Sequence, residues 1–152
     1  MTRRAAAGLL LALAAAPAAA QTEFAGTWRG TYVCAQGNTA VALTIEPRKD
    51  GTVSALFHFE AAPDNPDVPT GCFEMQGRAG DTPGAIALRP VRWLRRPANY
   101  VMVGLDGAIS ADGARIEGVV RGPGCTAFRV ERSAGPPGGE ACRAGAPLLS
   151  LR

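Results

Sequence analysis

The chain has 152 residues, with 16 Lys and Arg against 13 Asp and Glu, 47% apolar residues, 19 Gly, 12 Pro and 4 Cys. That length gives one domain and excludes an enzyme with a separate cofactor-binding half. High Gly and Pro with only 19% charged residues argue against a helical bundle or a coiled coil.

Residues 1–20 read as a secretory leader. Thr2-Arg3-Arg4 is the basic segment, Ala5 to Ala16 the apolar core, and Pro17-Ala18-Ala19-Ala20 supplies an A-x-A cleavage site. The apolar run is shorter than the roughly 20 residues a membrane span needs, so stable membrane insertion is not expected. The Arg pair is followed by plain alanines, which favours the Sec route over the twin-arginine route, with cleavage near Ala20 and a periplasmic or secreted product. Removing Arg3 and Arg4 leaves 14 basic residues against 13 acidic, a net charge of +1. Nucleic-acid binding, which shows as a basic excess, is not expected.

From residue 21 the apolar residues alternate with polar ones, the period of a half-buried strand. In 24–34 one parity holds Phe24, Gly26, Trp28, Gly30, Tyr32 and Cys34; in 40–46 it holds Val41, Leu43 and Ile45; in 52–60, Val53, Ala55, Phe57 and Phe59. Shorter strands are predicted at 71–78, 85–89 and 100–109. A seventh at 115–121 carries Ile116, Gly118 and Val120, and an eighth at 126–132 carries Phe128 and Val130. The pattern predicts an all-β domain over 21–132: an antiparallel up-and-down barrel of about eight strands, with a β-sandwich as the alternative. A Gly- and Pro-rich tail follows over 133–152; Leu148, Leu149 and Leu151 are its candidates for docking on the barrel.

In up-and-down order the short turns at 47–51, 79–84 and 111–114 share one end. The connections at 35–38, 61–70, 90–99 and 122–124 share the other, the open end. Cys34, Cys72 and Cys125 fall at that open end. Four cysteines in an exported chain imply two disulfides. Barrel closure would set the end of the first strand against the start of the last. Cys34–Cys125 is therefore the preferred pair, which leaves Cys72 to Cys142. There is no C-x-x-C pair, so no metal site is expected, and no motif calls for a cofactor.

The segment from Arg89 to Tyr100 concentrates the residues that usually anchor interfaces, Arg and aromatics. Arg92, Trp93, Arg95, Arg96, Asn99 and Tyr100 are therefore the candidate binding residues, together with Asp64 and Asp67 of the 61–70 loop. For Trp93 the competing reading is a plug in the barrel mouth, with solvated arginines around it. Asp64 and Asp67 sit among prolines in a turn-rich loop, a poor setting for paired catalytic carboxylates. His58, the single histidine, has the parity opposite Phe57 and Phe59 and is expected to face outward with no role. No catalytic residue is assigned, and the chain is not expected to be an enzyme.

Gly26-Thr27-Trp28 on the first strand, with Arg129 or Arg132 on the last, resembles the calycin pattern of lipocalins, avidins and some bacterial protease inhibitors. There a Trp near the start of strand one lies under an Arg or Lys of the final strand. Over 24–132 the resemblance implies a small exported antiparallel barrel that binds ligands or proteins at its open end. The second lipocalin motif is absent, and no biotin-contacting residue of the avidins is matched position by position. The resulting expectation is an exported, non-catalytic binding module whose open-end loops contact a small ligand or an exported protein. The alternative is an inhibitor of a secreted hydrolase (a protease or lysozyme) that inserts Gln21 to Phe24 or Trp93 into its target. An open lumen would favour a small ligand; a filled one would leave only the rim.

Overall fold

The computed structural model describes residues 21–138 and Cys142. The expected leader over 1–20 and the tail leucines Leu148, Leu149 and Leu151 lie outside the described residues. Eight strands follow in order: β1 (Gly26–Cys34), β2 (Gly37–Pro47), β3 (Val53–Ala61), β4 (Gly71–Ala79), β5 (Ala85–Arg95), β6 (Gly104–Ile109), β7 (Arg115–Arg121) and β8 (Ala127–Ser133). Each pairs antiparallel with the next, and β8 pairs with β1, so the meander closes into a barrel. Closure leaves the two terminal strands without free edges, the feature that separates a barrel from a sandwich. Both expected disulfides are formed, Cys34–Cys125 and Cys72–Cys142.

The inward parity of the strands is mainly apolar, and the lumen is filled rather than open. Trp28, Leu43, Ile45, Phe57, Phe59, Phe73, Met75 and Leu88 are all at most 2% exposed. Phe57 stacks on Phe73 with ring centroids 4.7 Å apart, and Tyr32 meets Phe57 edge-on at 5.1 Å. Burying each such ring contributes about 1.5–3 kcal/mol. The filled interior therefore carries much of the stability.

Residues 21–25 close the lower end. Phe24 is fully buried, its carbonyl accepts from Trp28 Nε1 at 2.9 Å, and the Gln21 amide donates to the Gly51 carbonyl. Arg132 stands opposite Trp28 across the β1–β8 ladder and lays its guanidinium 4.1 Å from the indole centre. The same side chain donates to the carbonyls of Ala25 and Glu23, both at 2.7 Å. Arg132, rather than Arg129, is thus the last-strand cation over Trp28; Arg129 pairs with Glu131 at 3.5 Å.

Two expectations need correction. The segment 90–99 is not a ten-residue loop, because β5 runs on to Arg95. Its register against β4 shifts twice, leaving Val91 and Leu94 as extra residues opposite none. Two bulges in seven residues break the apolar–polar alternation, which hid the strand. The second correction concerns His58. It does face out of the barrel, but it is only 9% exposed. Arg29, Ala42, His58 and Cys72 form one line of paired residues across β1 to β4. The tail crosses that line: Arg29 Nη2 donates to Pro136 O at 2.9 Å, Gly138 lies against Ala42 and His58, and Cys142 bonds to Cys72.

Candidate functional site: a cup at the open end

At the open end three connections meet above the filled lumen. They are the β1–β2 hairpin at Ala35 and Gln36, the 96–103 segment, and the β7–β8 turn over Gly122 to Gly124. Each has a local cause. Tyr100 N donates to Pro97 O at 3.4 Å, and the turn places Asn99 at φ 64°, the left-handed region Asn enters more readily than most residues. Gly124 takes φ 66°, and Cys125 N donates to Gly122 O at 3.3 Å. The Cys34–Cys125 bridge ties the hairpin to the last turn. Asn65 then clamps the 62–70 loop to the hairpin, its Nδ2 donating to Gln36 O at 2.7 Å and Asn38 O at 3.0 Å.

Between these connections lies a cup of about 310 Å³, lined chiefly by Tyr32, Gln36, Asn99, Tyr100, Val103 and Pro123, with the disulfide in its wall. Its base is aromatic: Tyr100 stacks on Phe59 at 5.4 Å and 14°, above the interior rings. Burial pushes the Tyr32 hydroxyl well above the ordinary tyrosine range. The neighbouring Tyr100 adds to that rise, while hydrogen bonds with Thr39 and Gln36 oppose it. Burial also raises Tyr100. Both phenols are therefore neutral at physiological pH, and both residues line the cup.

Of the expected binding residues, only Asn99 and Tyr100 line the cup. Arg92 faces outward on β5 in a two-pronged pair with Glu74, at 2.6 and 2.8 Å. Trp93 turns inward, half-buried, against Phe73 at 5.2 Å and Phe59 at 6.4 Å, and so seals the wall rather than projecting. Arg95 and Arg96 are exposed away from the cup lining. Asp64 accepts from Asn38 Nδ2 at 3.0 and 3.1 Å, and Asp67 is exposed in the same loop. Sequence reading missed Tyr32, Gln36, Val103 and Pro123. Tyr32 was legible only as an interior strand position. The sole hint of its polar role was Thr39, an inward hydroxyl directly opposite it in the β1–β2 register.

Among the described residues no group of three His, Cys, Asp or Glu side chains is placed to hold a metal ion. No helix among them is long and apolar enough to cross a membrane. The two disulfides fit an oxidising compartment. Compared with known proteins, the chain matches no protein-family model, no curated protein and no solved structure.

Proposed function

We propose that the chain is an exported, non-catalytic binding protein of calycin type whose open end is its binding face. The observation that carries this reading is the cup itself. Three separate connections converge on it, a disulfide and the Asn65 clamp hold them, and the rings beneath fill the rest of the lumen. Rigid loops on a closed scaffold are where binding surfaces concentrate. Arg132 over Trp28 supports the calycin assignment, and the leader sequence with two disulfides supports export. Of the other polar candidates, Arg92 is engaged with Glu74 and Asp64 with Asn38, while Arg95, Arg96 and Asp67 are exposed outside the cup lining. The hydrolase-inhibitor alternative gains no support, since Phe24 is fully buried at the closed end and Trp93 is packed into the wall.

The test is an NMR screen of a fragment library containing neutral, anionic and cationic members. Shifts that cluster on residues 34–38, 96–103 and 122–126 are expected. Clustering at the closed end or on the outer face beneath the tail would contradict the proposal.

A further inference from the structure

The cup differs from the rest of the barrel surface in charge. Outside it, Arg and acidic residues pair across neighbouring strands, as in the Arg89–Asp106–Arg121 chain over β5, β6 and β7 at 2.6 and 2.7 Å. Inside it, none of the ten lining residues is Asp, Glu, Lys, Arg or His, and the two tyrosines are held neutral. An ion seated there would give up part of its hydration and meet no counter-charge among the lining residues, which disfavours it relative to a neutral molecule. A neutral polar molecule meets a different surface. Asn99, exposed, and Tyr100, half-buried, both line the cup, and among the described residues neither side chain is taken up in a hydrogen bond. The aliphatic wall of Val103 and Pro123 and the tyrosine rings supply apolar contact. Volume sets the scale. A dry cavity of about 150 Å³ holds benzene, so about 310 Å³ suits one ring with a polar substituent.

Resting on the open-end reading above, we propose that this cup selects a compact, uncharged, ring-bearing molecule with an amide or hydroxyl group, hydrogen-bonded by Asn99 and Tyr100. Selectivity comes from the missing counter-charge, and orientation from the two unpaired polar groups.

The experiment uses three probes of matched shape and different charge: benzamide, benzoate and benzamidinium. Each is titrated at neutral pH into the isotope-labelled protein, expressed with its leader and recovered with both disulfides formed. Benzamide is expected to give saturable shifts at residues 34–36, 99–103 and 122–125 and to bind at least tenfold tighter than either ion. Asn99→Gly suits the φ of 64° and removes the side chain with its amide. Tyr100→Phe keeps the ring on Phe59 and removes only the hydroxyl. Each is expected to weaken benzamide about fivefold, the loss of one hydrogen bond, with the remaining spectrum unchanged. An ion that binds the cup within threefold of benzamide overturns the neutral-ligand inference but leaves the open end as binding face. Benzamide without saturable shifts at the cup overturns the inference as well. The open-end reading then fails only if the mixed-charge fragments also map elsewhere.

Discussion

Replacing Arg132 with methionine removes the charge that closes the lower end of the barrel but keeps an apolar stem over Trp28. Arg132 makes three hydrogen bonds to backbone carbonyls, at 2.7 Å to Ala25, 2.7 Å to Glu23 and 3.1 Å to Gly113. Those carbonyls lie near the surface and regain water when the Arg is lost, so each bond contributes near the low end of the usual range, about 0.5 kcal/mol. The cation–π contact at 4.1 Å adds about 0.5–1 kcal/mol at an exposed site. The expected destabilisation is about 2 kcal/mol, or roughly 4–10 °C in Tm for a domain of this size. Guanidinium unfolding followed by near-ultraviolet circular dichroism reads it. Arg129→Ala is the control: its pair with Glu131 is exposed and 3.5 Å long, so its loss should cost less than about 0.5 kcal/mol. If Arg132→Met is no more destabilised than Arg129→Ala, the contact over Trp28 does not hold the closed end.

Further outcomes follow from the packing and the charges. Cys34→Ala with Cys125→Ala opens a link between positions 91 apart; thermal unfolding should show a loss of about 2–4 kcal/mol, and cup probes should lose their shifts. Phe57→Ala removes a ring in contact with Phe59, Phe73 and Tyr32 and should cost about 3–5 kcal/mol by chemical denaturation. Burial beneath the tail lowers the His58 pKa below its ordinary value; Glu60 opposes that shift, and Arg29 and Arg95 reinforce it. A depressed folded pKa means the unfolded chain takes up the proton first. Stability from neutral His58 is thus complete above about pH 6.5 and is lost as pH falls from there through the folded pKa. A denaturation series from pH 8 to 5 should show this fall, and His58→Gln should flatten it.

The repetitive part of the fold was the legible part. Trp28, Tyr32, Val41, Leu43, Phe57 and Phe59 keep strict alternation, and alternation is what a closed sheet with one buried face requires. The pairing of four cysteines followed from the same topology, because closure sets the end of β1 beside the start of β8. What escaped is what does not repeat. Two bulges in β5 turned Arg92 and Trp93 from expected loop anchors into an outward ion pair and an inward wall. The tail over His58 is a contact between segments far apart in sequence, and strand parity holds no record of it. The cup was half-visible: Asn99 and Tyr100 stood out as polar and aromatic residues in a loop. Tyr32, Gln36, Val103 and Pro123 join them only because three connections meet in space.

The most direct test of the open end as binding face is a crystal of the disulfide-bonded protein soaked in a fragment mixture. Density is predicted between Tyr32, Asn99, Tyr100 and Pro123, beside the Cys34–Cys125 bridge. Bound fragments found only on the outer face or at the closed end, with the cup holding solvent alone, would contradict it.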